Sequence, residues 1–219
     1  MPQATQNRVS LLNIYDTLHD HFGDLHWWPG DSAFEVIVGA ILTQNTAWKN
    51  VEAAIGRLKA ENLLHPKKLR NLADERLAEL IRPAGYYRVK TKRLKAFLNF
   101  LSQDYLDDLD ALFAEDFQVI RKKLLLVHGI GEETADSILL YAGGKPVFVV
   151  DAYTRRILQR HRLISGEARY GDIQKLFMAG LPVSAPLYNQ YHALLVNTGK
   201  QFCKKQNPAC EICPLQSFL

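Results

Sequence analysis

Apolar residues recur at three- and four-residue steps along most of the chain, which is the period of an amphipathic helix. The first such stripe consists of Leu11, Ile14, Tyr15, Leu18 and Phe22. Similar patterns predict helices near 31–43, 46–60, 74–81, 90–103, 116–126, 132–143, 151–161 and 185–201. Proline and glycine fall between these segments, where helices tend to end. The pattern therefore predicts a chain built of helices.

One short run is typical of a strand instead. Residues 147–150 read Val-Phe-Val-Val, and a lone run of this length cannot form a sheet. We interpret it as a buried connector that leads into the next helix. The sequence predicts an all-α fold.

The amino-acid composition is typical of a globular protein. Of 219 residues, 47% are hydrophobic and 23% are charged, as in soluble globular proteins, which argues against a disordered chain. No window approaches the ~18 apolar residues of a membrane helix, and the first residues lack the pattern of a secretory signal. We therefore expect a cytoplasmic protein. The net charge of +4 permits a nucleic-acid partner without requiring one.

The cysteines are few and clustered. Cys203, Cys210 and Cys213 lie together near the C-terminal end of the sequence. An odd, closely spaced set favours metal or cluster ligation over a disulfide framework.

A glycine-rich turn joins two of the predicted helices. Residues 128–131 read His-Gly-Ile-Gly, and glycines permit the backbone angles of a tight turn. Backbone N–H groups at such a turn can hold a phosphate, a contact that reads the DNA backbone rather than the bases. A plain αα-hairpin is the alternative interpretation.

An acidic residue follows the buried connector. Asp151 stands at the predicted start of a helix, where an N-cap is worth about 1 kcal/mol. The same place suits a firmly held, desolvated carboxylate.

These motifs, in this order, resemble the helix–hairpin–helix (HhH-GPD) DNA glycosylase superfamily, and in particular relatives of endonuclease III. The resemblance also includes Leu-Thr-Gln-Asn-Thr at 42–46, Gly-Tyr-Tyr at 85–87 with Lys90, and the cysteine window, so it spans nearly the whole chain. It implies base excision repair: a damaged base is flipped out of duplex DNA and its N-glycosidic bond is hydrolysed. It also implies two helical lobes with an active cleft between them. One is residues 24–135, ending in the hairpin, and the other is 1–23 plus 136–219.

The resemblance assigns roles to individual residues. It makes Asp151 the catalytic carboxylate, which stabilises the positive charge that develops on the sugar. Bifunctional members carry a Schiff-base lysine where this chain has Glu133, and a carboxylate cannot form an imine. The resemblance thus implies a monofunctional glycosylase that leaves an abasic site.

DNA contacts and a base pocket are implied in the same way. Gln44 corresponds to the residue that fills the gap left by the flipped base. The other DNA-binding positions are His128, Gly129, Ile130, Gly131 and Thr134. Trp27, Trp28, Pro29 and Trp48 are similar to the aromatic pocket of the 3-methyladenine DNA glycosylase branch, where a cationic purine gains from stacking. Ordinary core packing is the alternative for these aromatic residues.

The cysteine spacing matches the first three ligands of the Cys-x6-Cys-x2-Cys-x5-Cys loop that holds a 4Fe–4S cluster in endonuclease III relatives. The fourth position is Leu219. Three alternatives follow: a cluster with an incomplete cysteine set, no cofactor, or a zinc ion.

Other functions stay open at this point. The substrate could be uracil, mismatched thymine or an oxidised pyrimidine, with or without AP lyase activity, for which Lys145 is a candidate amine. A non-catalytic DNA-binding protein is a further alternative. We expect a monomer that acts on damaged double-stranded DNA in the nucleoid. We expect no association with a membrane.

Overall fold

The computed structural model describes the backbone of residues 2–218 and the side chains of residues 11–218. In this part of the chain the regular structure is helical and no strand occurs, which confirms the all-α prediction. The chain divides into two compact units, Pro29–Lys145 and Met1–Trp28 with Pro146–Leu219. Residues 136–145 belong to the first of these because a turn within them packs on a helix of that unit. The functional lobes 24–135 and 1–23 plus 136–219 stay a prediction.

The helices, in chain order, are α1 (Pro2–Phe22), α2 (Ala33–Leu42), α3 (Trp48–Ala60), α4 (Pro66–Asn71), α5 (Asp74–Leu80), α6 (Tyr87–Tyr105), α7 (Leu109–Ala114), α8 (Phe117–Leu126), α9 (Glu132–Ser137), α10 (Ala152–Arg160), α11 (Tyr170–Gly180) and α12 (Ala185–Gln201). Three short 3₁₀ turns, Arg82–Ala84, Cys210–Ile212 and Gln216–Phe218, and a π-helical turn, Ile138–Ala142, complete them within residues 2–218.

The unit Pro29–Lys145 is built around α2. Apart from Glu35, which pairs with Lys59, this helix is apolar, and it is buried from Phe34 to Leu42, as expected of a helix inside a core. It packs against α3, α6, α9 and the π-helical turn. Ser32 begins it, since the Ser32 hydroxyl accepts a hydrogen bond from the Glu35 N–H at 3.2 Å. Because α2 is buried up to its last residue, Leu42, the loop that follows it starts inside the core.

The other unit combines α1 with α10, α11 and α12. An aromatic cluster lies at its centre, in which Phe148 stacks on Phe177 with ring centroids 3.9 Å apart. Tyr188 and Tyr191 meet the Phe148 ring edge-on. Tyr191 also donates a hydrogen bond to the backbone oxygen of Leu11 at 2.8 Å, which joins α12 to α1.

The segment 147–150 has no regular structure and is buried, as the sequence predicts. Side chains of α11 satisfy part of its backbone. Gln174 donates to the Phe148 oxygen at 2.8 Å, and the Tyr170 hydroxyl accepts from the Val150 N–H at 3.3 Å. The connector is thus held by a helix, not by a sheet.

Helices α4, α7 and α11 are absent from the sequence-based prediction. The first two have six residues each and show less than two turns of periodicity. Helix α11 carries glycine at its second position, which lowers helix propensity. Within residues 2–218, no helix has the length and apolar content needed to cross a membrane.

The helices on either side of the glycine-rich turn are joined by an ion pair. Arg121 of α8 donates from Nε to Asp136 Oδ1 at 2.6 Å and from Nη2 to Oδ2 at 3.0 Å. Asp136, on α9, is fully buried. Two parallel bonds fix the geometry of the pair as well as its charge.

We predict that Asp136→Ala destabilises the protein by about 3–5 kcal/mol, because it leaves the Arg121 charge without its buried partner. Urea unfolding monitored by circular dichroism measures this. The control is Glu79→Ala, which removes an exposed carboxylate paired with Arg76 and should change stability little. Equal losses for the two variants would contradict the prediction.

Candidate active site

The glycine-rich turn lies between α8 and α9. Gly129 has a φ of +82°, and a Cβ built there would lie 2.3 Å from Cγ of Arg93. Both the backbone angle and the close approach therefore require glycine at this position. Gly131 is the N-cap of α9 in an extended conformation, with open space where a Cβ would be. The structure thus forms the helix–hairpin–helix geometry that the sequence predicts.

Gln44 lies against this turn. Its Nε2 donates to the Gly129 oxygen at 3.0 Å and to Thr134 Oγ1 at 2.8 Å. Its Oε1 accepts a short hydrogen bond from Nη1 of Arg93. The structure therefore brings together three of the predicted DNA-binding residues and adds Arg93, which the sequence analysis does not identify.

The side chains of this network line an open cavity. Gln44, Asn45, Arg93, Glu133 and Ser137 are among its lining residues. Glu133 is in the first turn of α9, where a carboxylate suits the positive end of a helix. The structure thus places in this cavity the carboxylate that the resemblance aligns with the Schiff-base lysine, and this correspondence stays a prediction.

Lys90 holds the same loop from inside the core. It is 1% exposed, and its Nζ donates to the backbone oxygens of Leu42 at 2.7 Å and Ala84 at 2.8 Å. It also bonds to Oγ1 of Thr46 at 2.5 Å. Burial, with a smaller contribution from the nearby charge of Arg93, lowers the pKa of Lys90 from 10.5 to about 8.

Asp151 is the N-cap of α10. Its Oδ1 accepts from the Thr154 N–H at 2.7 Å, and its side chain is 11% exposed. His192 of α12 brings Nε2 to 3.7 Å from Oδ2 of Asp151. Burial lowers the pKa of His192, although the charge of Asp151 opposes this. The lowered pKa favours the neutral form of the imidazole.

The tryptophans do not all belong to one unit. Trp27 and Trp28 are adjacent and lie edge to face, with ring planes at 72°, so these two rings alone do not make a parallel sandwich. Lys200 Nζ is 5.8 Å from the Trp27 ring centroid. Trp48 begins α3 in the other unit, and its Nε1 donates to Glu52 at 2.8 Å. The predicted base pocket of Trp27, Trp28, Pro29 and Trp48 stays a prediction.

The cysteines line one cavity beyond α12, together with Arg160 and His161. Cys203 is buried and accepts a hydrogen bond at Sγ from Nη1 of Arg160 at 3.1 Å. Burial raises the pKa of the Cys213 thiol, and the other two thiols add to the effect. Three thiols at one cavity beside a cation fit three thiolate ligands of a cluster. Between residues 2 and 218, however, no three such side chains are already arranged to hold a metal ion. Leu219 lies outside the described residues.

Comparison with known proteins gives the family. Residues 38–182 match the model of the HhH-GPD superfamily base excision DNA repair proteins, and residues 203–218 match the iron-sulfur binding domain of endonuclease III. The chain belongs to the HhH-GPD superfamily. It is a DNA glycosylase of base excision repair, as the resemblance implies.

Relatives of this HhH-GPD protein cover most of its length. A Methanocaldococcus jannaschii protein named as a DNA repair glycosylase is 45% identical over 97% of both chains. Thermotoga maritima endonuclease III is 30% identical over 84% of this chain and 81% of its own. Helicobacter pylori 3-methyladenine DNA glycosylase, in a crystal structure with 1,N6-ethenoadenine, is 29% identical with a TM-score of 0.75, covering 90% of this chain and 97% of that one. The structure of a non-covalent endonuclease III–DNA complex is 22% identical, with a TM-score of 0.82. The match covers 96% of this chain and 94% of that one, and it supports the fold.

Sequence reasoning missed two residues of this glycosylase, Arg93 and His192. Arg93 lies three residues after Lys90, so both project from one face of α6, and this spacing was a usable signal. His192 is a polar residue in the otherwise apolar stretch from Tyr191 to Val196 of α12, which marks a buried partner. Arg93 and His192 contact predicted site residues, and the catalytic and DNA-binding roles of all these residues stay predictions.

The lowered pKa of Lys90 predicts a pH-dependent stability. Between pH 8 and 10.5 the folded protein has released this proton while the unfolded chain keeps it, so folding becomes more favourable as the pH rises. We expect the unfolding free energy of wild type, relative to Lys90→Met, to increase over this window. Urea titrations at several pH values measure the difference.

Lys92→Met is the matched control, because Lys92 is exposed on the same helix. Relative to this variant, wild type should show no comparable increase. A difference between wild type and Lys90→Met that stays constant from pH 8 to 10.5 would contradict the assignment.

Proposed function

We propose that this glycosylase is monofunctional and removes an alkylated purine, such as 3-methyladenine, from double-stranded DNA, acting as a monomer. The observation that carries the proposal is the likeness, at 29% identity over 90% of the chain, to a 3-methyladenine DNA glycosylase that holds 1,N6-ethenoadenine. Trp27 and Trp28 add support from the residues themselves, because a cationic purine gains up to ~2 kcal/mol from a desolvated aromatic face.

Asp151 is the group we assign to the chemistry. As the C1′–N bond of the damaged nucleotide breaks, positive charge develops on the deoxyribose and a nearby carboxylate stabilises it. The same carboxylate orients the attacking water and accepts its proton. The Thr154 N–H donates to Oδ1 of Asp151, and His192 brings Nε2 to 3.7 Å from Oδ2. An alkylated purine leaves readily, so this set needs no separate strong acid.

Glu133 supports the absence of lyase activity. Strand cleavage by the Schiff-base route needs an amine that attacks C1′ and forms an imine. A carboxylate at the position of that amine cannot form one, so the product is an intact strand with an abasic site.

We also propose that Cys203, Cys210 and Cys213 hold a 4Fe–4S cluster. The match of residues 203–218 to the endonuclease III iron-sulfur domain and the three thiols at one cavity support this. When bound, such a cluster supplies a rigid cross-link and a redox centre. The hydrogen bond from Arg160 to Cys203 stabilises a thiolate ligand there.

The proposal predicts which bases are released and how the strand breaks. Incubation with methylated duplex DNA should free 3-methyladenine, detected by chromatography, and the strands should break only after alkali. Asp151→Asn keeps an oxygen that can accept from Thr154 but lacks the charge. It should lower the rate of release by at least about a hundredfold without unfolding the protein.

Asp20→Asn is the control for Asp151→Asn, since it makes the same change at an exposed carboxylate of α1 in the same unit. Equal rates for wild type and Asp151→Asn would overturn the role of Asp151. Release of uracil, mismatched thymine or an oxidised pyrimidine in place of 3-methyladenine would overturn the substrate. Breaks without alkali, together with a borohydride-trapped adduct, would overturn the inference from Glu133.

The cluster proposal predicts iron and acid-labile sulfide in protein purified without oxygen, at about four of each per chain. Cys203→Ala should lower both contents severalfold, because it removes the buried thiol. Glu211→Gln, an exposed change in the same loop, should leave them unchanged. Zinc in place of iron, measured on the same samples, would contradict the cluster.

A further inference from the structure

Arg93 connects α6 to the glycine-rich turn. Its aliphatic stem lies over Gly129 so closely that a Cβ there would be 2.3 Å from Cγ and 2.7 Å from Cδ. No side chain larger than glycine fits at position 129 while Arg93 keeps this course. The contact with Arg93 therefore depends on glycine at position 129.

The guanidinium end of Arg93 determines how Gln44 is oriented. A carboxamide offers one acceptor oxygen and one donor nitrogen, and the two look alike in shape. Arg93 can only donate, so Oε1 of Gln44 must face it and Nε2 must face the Gly129 oxygen and Thr134 Oγ1. Rotating the amide by 180° would set donor against donor and acceptor against acceptor. Arg93 thus selects one of two orientations.

The backbone beneath Gln44 is fixed from the same helix. Lys90, one turn before Arg93 on α6, bonds to the Leu42 oxygen and to Thr46 on either side of Gln44. A loop held in both its backbone and its side chain loses little further freedom when it meets a ligand, which is the advantage of preorganisation. Gln44 itself remains half-exposed beside an open cavity, so it can be reached by a ligand.

We propose that Arg93 is a positioning residue of this glycosylase: it holds the Gln44 carboxamide ready to occupy the gap in DNA left by an extruded nucleotide. The inference rests on the proposed function, since it needs a glycosylase that extrudes a base from duplex DNA, and it takes the gap-filling role that the family resemblance implies for Gln44. It goes beyond it by assigning to Arg93 an effect on damaged over intact duplex that is exerted through Gln44.

The test measures binding without chemistry. Fluorescence anisotropy gives the dissociation constants for a duplex with one tetrahydrofuran abasic analogue and for the same duplex undamaged. The ratio of the two constants is the preference for a gap. We expect Arg93→Met to lower this preference about tenfold, because a charge-assisted hydrogen bond that orders Gln44 is lost.

A double-mutant cycle separates positioning from a general effect of charge. If Arg93 acts through Gln44, then Arg93→Met should add nothing to the loss already caused by Gln44→Ala. Arg93→Lys keeps a donor and much of the stem, so it should recover most of the preference. Lys92→Met removes an exposed charge from the same helix and should weaken both duplexes equally.

Each other outcome overturns the inference. Additive losses would mean that Arg93 acts independently of Gln44. A gain in preference for Arg93→Met would mean that Arg93 restrains Gln44 in an inactive position. A wild-type ratio near one would remove the gap-filling role itself. Since no base is released in this assay, a wrong substrate leaves its result unchanged and appears only in the release assay.

Discussion

The hydrogen bonds of the Lys90 ammonium group hold together the segments of residues 29–145 that surround Gln44. A charge that is 1% exposed is costly, and here it lies among oxygen atoms from three separate segments. Those segments are the end of α2, the loop after it and the 3₁₀ turn Arg82–Ala84. Without the ammonium, two carbonyl groups inside the protein would lose a donor. The loop that carries Gln44 is therefore positioned by the core and not by the surface.

The other unit places Asp151 by comparable means. A backbone N–H fixes one carboxylate oxygen, and the buried His192 approaches the other. Burial lowers the pKa of His192 and so favours its neutral form, although the charge of Asp151 opposes this. In both units a buried polar side chain lies against the residue to which we assign a role, and such support keeps a side chain in place for chemistry.

Much of this could be predicted from the sequence because the signals were local. The Gly129 turn, the N-cap Asp151 and the stripe of α1 each follow from neighbouring residues. The contacts of Arg93 with Gln44 and of His192 with Asp151 join residues 49 and 41 positions apart, and no periodicity in a single chain reports such pairs. The short helices α4 and α7 were missed for a related reason, since tertiary packing stabilises them more than their own sequence does. The tryptophans show the limit of composition, because their number says nothing about which rings face one another.

The connector before Asp151 has a consequence for how the chain can change. Its backbone forms no helix or strand, so its hydrogen bonds go to side chains: Gln174 donates to the Phe148 oxygen, and Tyr170 accepts from the Val150 N–H. The aromatic stack of Phe148 on Phe177 fixes its depth. An inserted or deleted residue there would move the acid by the length of one peptide unit and break all three contacts together. Helix α11, which carries no residue with an assigned catalytic role, thus sets the position of Asp151 along the chain through these contacts.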